Sequence, residues 1–172
     1  MQPEELTREI GKTFAVRVFD VEKGAIRRFA DAIDDPNPLY IDEEYARKSR
    51  YGSIIAPPGF FGWPVKHSFG LPLVITFPEN LMRITREAGY PTESLLDGGI
   101  EYEFFLPVHA GDSLTATETL KDARERSGKS GKILIFVVET TYINQNSVKV
   151  AVADATYILR SPNPSGEEKK NG

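Results

Sequence analysis

The chain has 172 residues, of which 40% are hydrophobic and 27% charged, with a formal net charge of −4 and no cysteine. A chain of this length buries roughly 70% of the surface that its unfolded form exposes, so we expect one domain, over residues 1–160. The composition excludes disulfides and thiol chemistry. It also argues against a membrane span, because no apolar run reaches ~20 residues, and against nucleic-acid binding, because Lys and Arg are scattered.

The N-terminal part of the chain predicts a strand followed by a helix. Residues 1–12 carry charges and no apolar segment, so we expect no secretory signal peptide and take the cytoplasm as the compartment. Residues 13–20 alternate in the manner of a strand. Residues 21–33 place apolar side chains at helical spacing, namely Ile26, Phe29, Ala30 and Ile33.

Two prolines end this predicted helix. Pro36 and Pro38 each lack an amide donor and force the preceding residue toward extended geometry. The helix is therefore expected to end near Asp34 and to be followed by a stiff loop. Residues 42–49 then predict a short second helix with Asp42 as its N-cap.

The middle of the chain has no readable periodicity. Residues 51–78 mix prolines and glycines with large apolar side chains, so we expect a buried, irregular segment. Helical spacing returns over residues 79–88 and ends at Gly89. The aromatic side chains of the segment belong either to the core or to the wall of a ligand tunnel, and they are Phe60, Phe61, Trp63, Phe69 and Phe77.

Four strands are predicted in the C-terminal half, over residues 99–108, 112–124, 132–144 and 148–160. Helices segregated from a run of antiparallel strands predict an α+β fold. Both faces of residues 132–144 are apolar, so one face is expected to meet a partner or a second layer. Residues 161–172 are rich in Pro, Ser, Gly and charge and are expected to form a disordered tail.

The most site-like segment follows the first predicted helix, where Asp35, Asn37 and Tyr40 lie close together. On its own, Asp-Pro-Asn-Pro is also suited to a helix stop and an Asx turn. The segment resembles the motif Gly-Asp-x-Asn-Pro-Leu-His of the MaoC-like hot dog dehydratases. Asp35, Asn37, Pro38 and Leu39 match that motif, whereas Asp34 replaces its Gly and Tyr40 stands in place of its His.

The resemblance continues along about residues 10–160. Residues 54–58 are similar to the family's turn into a central helix, and residues 102–112 are similar to its strand and turn Arg-Pro-x-x-x-Gly-Asp. The chain is most similar to the N-terminal group, which includes fatty acid synthase-type dehydratase domains and subunits of two-component hydroxyacyl dehydratases. The resemblance implies a hot dog fold, an antiparallel sheet around a central helix, paired as a homodimer or heterodimer with another hot dog subunit.

The resemblance also implies an activity, the hydration or dehydration of acyl chains carried as coenzyme A or carrier-protein thioesters. This chemistry needs a base, an acid and donors to the thioester oxyanion. By position, Asp35 matches the acid partner and Asn37 the residue that fixes the loop. The oxyanion donor aligns with Pro58 or with Gly59, and only Gly59 has an amide to donate. We expect Phe60 and Trp63 beside it to contact substrate, and we expect no cofactor or metal.

Tyr40 leaves three functions open. A phenol with a pKa of about 10 is protonated at neutral pH and cannot accept a proton as an imidazole does, and neither His67 nor His109 is an obvious substitute. The chain is then a hydratase or dehydratase subunit paired with a catalytically complete partner, or a non-catalytic subunit that binds acyl chains or stabilises that partner. A hot dog thioesterase would need a carboxylate in residues 57–70, which contain none.

Overall fold

The computed structural model describes residues 4–60, 79–128 and 131–161. The expectations for Phe61, Trp63, His67, Phe69 and Phe77, for the central helix and for most of the tail lie outside these described residues. They stay predictions.

The described strands form one antiparallel sheet of five strands, in the order β1-β3-β4-β5-β2. Each strand is numbered in chain order, with the bounds β1 Thr13–Asp20, β2 Leu96–Phe104, β3 Ser113–Gly128, β4 Gly131–Asn144 and β5 Lys149–Arg160. The last three strands follow one another along the sheet, while β1 and β2 form its two edges. All five predicted strands and the α+β class are confirmed.

The sheet buries one face more completely than the other. In β4 the buried residues alternate with half-buried ones, as expected for a strand whose successive side chains point to opposite faces. Leu134, Phe136 and Val138 are buried on one face, and Ile133 and Ile135 are half-buried on the other. The two-faced apolar pattern in the sequence therefore corresponds to one core face and one partly exposed face.

Five α-helices are described, with the bounds α1 Glu4–Thr7, α2 Lys23–Ala32, α3 Pro38–Ile41, α4 Glu43–Lys48 and α5 Glu79–Glu87. The predicted helices α2, α4 and α5 are confirmed. Asp42 caps α4 as expected, because its side chain accepts hydrogen bonds from the amides of Glu44 and Tyr45. Among the described residues, no helix is long and apolar enough to cross a bilayer.

The stiff loop expected after α2 contains a helical turn, α3, so that expectation was wrong in part. Pro38 occupies the first turn of α3, where the missing amide of proline leaves no intrahelical hydrogen bond unmade. Asn37 is its N-cap, and the Asn37 side chain accepts a hydrogen bond from the amide of Leu39. Pro38, which was expected only to end α2, therefore lies in the first turn of the next helix.

The buried apolar residues form two clusters. One joins α2 to the segment 54–60 and to the sheet, and its members include Ile26, Phe29, Tyr40 and Phe60. The other lies over the opposite half of the sheet and includes Leu6, Ile84 and Tyr90. The segment that resembles the catalytic motif is thus packed on the first cluster.

Candidate active site

The end of α2 positions Asp35 through a Schellman motif. The Asp34 amide donates to the Asp31 carbonyl at 3.2 Å, and the Asp35 amide donates to the Ala30 carbonyl at 3.0 Å. This motif needs a left-handed residue after the helix cap, and Asp34 has φ 54°. Glycine adopts this conformation freely, and Asp is one of the few other residues that tolerate it. Asp34 therefore performs the backbone role that the motif assigns to glycine.

Asp35 and Asn37 are linked by an Asx turn. Asp35 Oδ1 accepts a hydrogen bond from the Asn37 amide at 3.2 Å, and the Asn37 carbonyl accepts one from the Tyr40 amide at 3.0 Å. Within the described part of the chain, the second carboxylate oxygen of the half-buried Asp35 makes no hydrogen bond. The Asx turn that the local sequence predicts therefore links Asp35 through Asn37 to Tyr40 by hydrogen bonds and fixes the position of Tyr40 relative to Asp35.

Tyr40 is buried, with 6% of its surface exposed. Burial raises the pKa of its phenol, and the neighbouring charge of Asp35 and the hydroxyl of Tyr51 raise it further. The phenol is therefore protonated at neutral pH, where it can donate a hydrogen bond but cannot take a proton from water. Because the charge of Asp35 affects the phenol, the side chains of these two motif residues lie near each other.

A cavity of about 590 Å³ lies beside this motif. Its wall is formed by α3, by residues 50–58 and by residues 104–108, and both Asn37 and Tyr40 contribute to it. Pro58 lines the cavity as well, whereas Asp35 is not part of the lining. The remaining lining is largely apolar and aromatic, including Leu39, Ile55 and Phe105. A polar motif on an apolar cavity is the usual arrangement of a small-molecule site.

Backbone hydrogen bonds hold the three parts of the wall together. The Ala56 amide donates to the Val108 carbonyl at 2.8 Å, and the Ala110 amide donates to the Ile54 carbonyl at 3.0 Å. The Ile55 amide donates to the Leu39 carbonyl at 3.2 Å. The cavity is therefore built by pairing two segments that are about fifty residues apart in the chain and by attaching α3 to one of them.

Gly59 follows Pro57 and Pro58 and has φ 84°, a left-handed conformation that favours glycine. Among the described residues, its amide has no hydrogen-bond partner. Phe60 is only 2% exposed and packs edge to face on Phe29 with ring centroids 5.8 Å apart. The structure thus places Phe60 in the core behind the cavity, so its contact with substrate, like the donor role of Gly59, stays a prediction.

His109, one of the two histidines considered as a substitute base, is not placed to act as one. His109 Nδ1 lies 2.7 Å from Ser53 Oγ, in the turn where the sequence predicts it, and it is not part of the cavity lining. His67 lies outside the described residues. Nor do the described ranges contain a group of three His, Cys, Asp or Glu side chains that could hold a metal ion.

The sequence did not predict all of the residues that line the cavity. Arg50, Tyr51 and residues 104–107 line it, although none of them belongs to the short catalytic motif. The stretch 102–112 was recognisable as part of the family pattern, but its aromatic residues were assigned to a strand. Their place beside Tyr40 depends on the long-range pairing of residues 54–56 with 108–110.

Comparisons with known proteins agree with this architecture. Residues 8–153 match the family profile described as FAS1-like, dehydratase domain region. A UPF0336 protein from Thermobifida fusca is 30% identical over 149 residues, which are 86% of this chain and 88% of the relative. The MaoC-like dehydratase from Rhodospirillum rubrum is 27% identical, with a TM-score of 0.57 over 90% of this chain and 94% of that one.

A third protein supports the fold alone. The C-terminally truncated HadBC (3R-hydroxyacyl-ACP dehydratase) complex from Mycobacterium tuberculosis superposes with a TM-score of 0.62 at 22% identity, over 84% of this chain and 94% of that one. The hot dog fold expected from the sequence is therefore confirmed. The described part of that fold is the antiparallel sheet with the motif segment packed on one of its two apolar clusters.

Proposed function

The chain belongs to the FAS1-like dehydratase-domain family, and on that basis we propose that it is a hydro-lyase subunit acting on enoyl or 3-hydroxyacyl thioesters. It would work in the cytoplasm, in fatty acid metabolism, paired with a catalytically complete hot dog partner. The observation that carries the proposal is the apolar cavity of about 590 Å³ that has Asn37 and Tyr40 in its wall. Such a cavity suits an acyl chain whose polar end meets a few fixed polar groups.

The site residues divide the chemistry unequally. Hydration of an enoyl thioester needs a group that takes a proton from water, and the raised pKa of Tyr40 prevents it from being that group at neutral pH. Asp35 can hold the attacking water, but the histidine that would hold this water together with it is replaced by Tyr40 in this chain. The Gly59 amide is available as an oxyanion donor because no described residue occupies it. The residues of this chain are therefore better suited to binding the thioester than to transferring a proton.

A partner subunit would supply the missing base. The HadBC dehydratase from Mycobacterium tuberculosis, which shares this fold, was crystallised as a complex. The edge strand β1 of the present chain exposes Val16 and Val18, at 60% and 63%, which is consistent with pairing. The partner we propose is a second hot dog protein that carries the complete motif Gly-Asp-x-Asn-Pro-Leu-His.

The decisive experiment measures hydration of crotonyl-CoA by the chain alone, by Tyr40→His and by Tyr40→Phe. We expect the unmodified chain and Tyr40→Phe to be nearly inactive, because absence of a general base typically costs about 10²- to 10⁴-fold. Tyr40→His should raise the rate, and a further Asp35→Ala should remove the gain. Robust activity of the unmodified chain that survives Asp35→Ala would refute the assignment of this site.

The second candidate is a non-catalytic subunit that binds acyl chains or stabilises its partner. The protonated, buried phenol of Tyr40 favours it, because this residue fills the position of the family's base without its chemistry. The two functions differ in the assembled complex. If this chain contributes to catalysis, Asp35→Ala in it lowers the rate of the complex; if it only binds or stabilises, the rate of the complex is unchanged.

A further inference from the structure

Arg50 and Tyr51 form a pair of hydrogen-bond donors on the cavity wall. The Arg50 guanidinium donates to the Tyr51 hydroxyl oxygen and lies over the Tyr51 ring, with its central carbon 4.8 Å from the ring centroid. A guanidinium has five N–H groups, so this contact leaves most of them for another acceptor. The Tyr51 oxygen accepts from Arg50, and no described residue accepts the Tyr51 proton. Both side chains therefore have donors left for a ligand.

The turn that follows α4 fixes the position of this pair. The Ser49 hydroxyl donates to the Ala46 carbonyl at 2.6 Å and accepts from the Tyr51 amide at 3.1 Å. The Gly52 amide donates to the Ser49 carbonyl at 3.2 Å, and Gly52 has the left-handed φ of 74° that favours glycine. The Tyr51 side chain is half-buried and packs against the apolar cluster that contains Tyr40. The pair is thus ordered before any ligand binds, which lowers the entropic cost of binding.

The charge of Arg50 is not neutralised within the described part of the chain. Arg50 has no carboxylate partner there, whereas Lys48 beside it pairs with Glu44 at 2.6 Å. Among the described residues that line the cavity, Arg50 is the only charged side chain, and most of the others are apolar. The cavity therefore combines an apolar interior with one positive charge, although the whole chain has a net charge of −4.

This combination fits a ligand with one negative charge and an apolar body. A carboxylate accepts two parallel hydrogen bonds from a guanidinium, and such charge-assisted bonds are roughly twice as strong as neutral ones. The two oxygens of a carboxylate lie closer together than two hydrogen-bonded atoms, so one carboxylate can reach both Arg50 and the Tyr51 hydroxyl. The volume of about 590 Å³ corresponds to roughly 20 water molecules, which is enough for an acyl chain of medium length.

We propose that Arg50 and Tyr51 bind the carboxylate of a free acyl acid whose chain lies in the cavity. This inference goes beyond the proposed function, because the ligand is a free acid and not a thioester. It does not depend on the proposed activity, since the acid binds whether or not the chain takes part in hydration. Hydrolysis of an acyl thioester releases such an acid together with a thiol, so hydrolysis is the class of reaction that supplies this ligand.

The test measures the binding of octanoate and of octanamide at pH 7 by isothermal titration calorimetry. Octanamide has the same chain and the same number of non-hydrogen atoms but no charge, so it reports whether a substitution has damaged the cavity itself. The variants are Arg50→Gln and Tyr51→Phe. The matched controls are Arg47→Gln and Tyr45→Phe, which make the same replacements at exposed positions of α4 outside the cavity lining.

We expect the unmodified chain to bind octanoate more tightly than octanamide. Arg50→Gln should weaken octanoate binding by roughly two- to fivefold, the size of an exposed ion pair, and Tyr51→Phe by a similar factor through loss of one hydrogen bond. The losses with octanamide should be smaller, because its neutral carbonyl receives no charge assistance. A chain with both substitutions should bind the two compounds equally, and the two controls should change neither affinity.

Three results would overturn the inference. One is equal affinity of the unmodified chain for octanoate and octanamide, the second is a loss in Arg50→Gln and Tyr51→Phe no greater than in the controls, and the third is no binding of octanoate. Hydration of crotonyl-CoA by Tyr40→His reports separately on the proposed function. A gain of hydration without octanoate binding refutes the acid site alone, whereas octanoate binding without a gain of hydration supports the acid site and counts only against the proposed function.

Discussion

Replacing Asp34 by glycine should stabilise the protein, although it removes a charged side chain. Asp34 has φ 54° at the end of α2, where its amide and that of Asp35 complete the Schellman motif. The left-handed conformation costs a residue with a Cβ about 1–2 kcal/mol, and it costs Asp somewhat less. Glycine avoids that strain but loses about 0.5–1 kcal/mol through the greater freedom of its unfolded chain. The expected net gain is about 0.5 kcal/mol.

Two further variants test whether the left-handed conformation at Asp34 determines this gain in stability. Asp34→Ala keeps the strain without the local hydrogen bonding that helps Asp, so it should be less stable than Asp34→Gly by about 1 kcal/mol. Asp31→Gly is the matched control, because Asp31 is an exposed residue inside α2, where replacing Asp by Gly is expected to cost about 0.3 kcal/mol, the difference between their helix propensities. The same replacement of Asp by Gly thus has opposite signs at two positions three residues apart.

Urea unfolding followed by circular dichroism measures these differences as shifts of the midpoint at constant slope. Thermal unfolding should separate Asp34→Gly from Asp34→Ala by about 2–4 °C, the shift expected per kcal/mol for a chain of this size. If Asp34→Ala proves as stable as Asp34→Gly, or if Asp34→Gly loses as much as Asp31→Gly, the left-handed conformation at Asp34 does not carry the helix end.

Three other outcomes are expected. Asn37→Ala should lower the free energy of unfolding by about 1 kcal/mol through loss of the α3 N-cap, with Asn37→Ser close to the unmodified chain; equal losses in both would contradict the capping role. Burial raises the pKa of the Tyr102 phenol to about 12. The free energy of unfolding should therefore be constant below pH ~10, the pKa of an unfolded tyrosine, and should fall as the pH rises through about 12. Tyr102→Phe should make this fall smaller in unfolding curves measured at alkaline pH. Light scattering should show a dimer, because β1 exposes Val16 and Val18; a monomer at micromolar concentration would count against it.

The regular elements were predictable because local patterns decide them. The alternation in β4 and the helical spacing of Ile26, Phe29 and Ala30 in α2 match the burial that the structure has. The turn α3 was missed for a specific reason. The local pattern presents Pro38 only as a helix breaker, whereas a proline in the first turn starts a helix as readily as one in the interior ends it.

The cavity could be predicted only in part. Asn37 and Tyr40 follow from the short motif and Pro58 from the similarity of residues 54–58 to the family, and all three lie in the cavity wall. Arg50 and Phe105 were not, because their place depends on the pairing of residues 54–56 with 108–110, a contact between distant segments that no local pattern encodes. Local rules thus identify the polar group at the site, while tertiary pairing determines what surrounds it.

The two departures from the dehydratase motif differ in physical kind. At Asp34 the motif's glycine supplies a backbone conformation, and Asp reaches it at a small cost, so the turn and the position of Asp35 are retained. At Tyr40 the motif's histidine supplies a proton acceptor, and no arrangement of a buried phenol beside a carboxylate replaces it, because both burial and the Asp35 charge raise the pKa further. The scaffold is therefore preserved at one end of the motif and the chemistry is altered at the other. The proposed function, a subunit that keeps the binding geometry and takes its base from a partner, follows from these two departures.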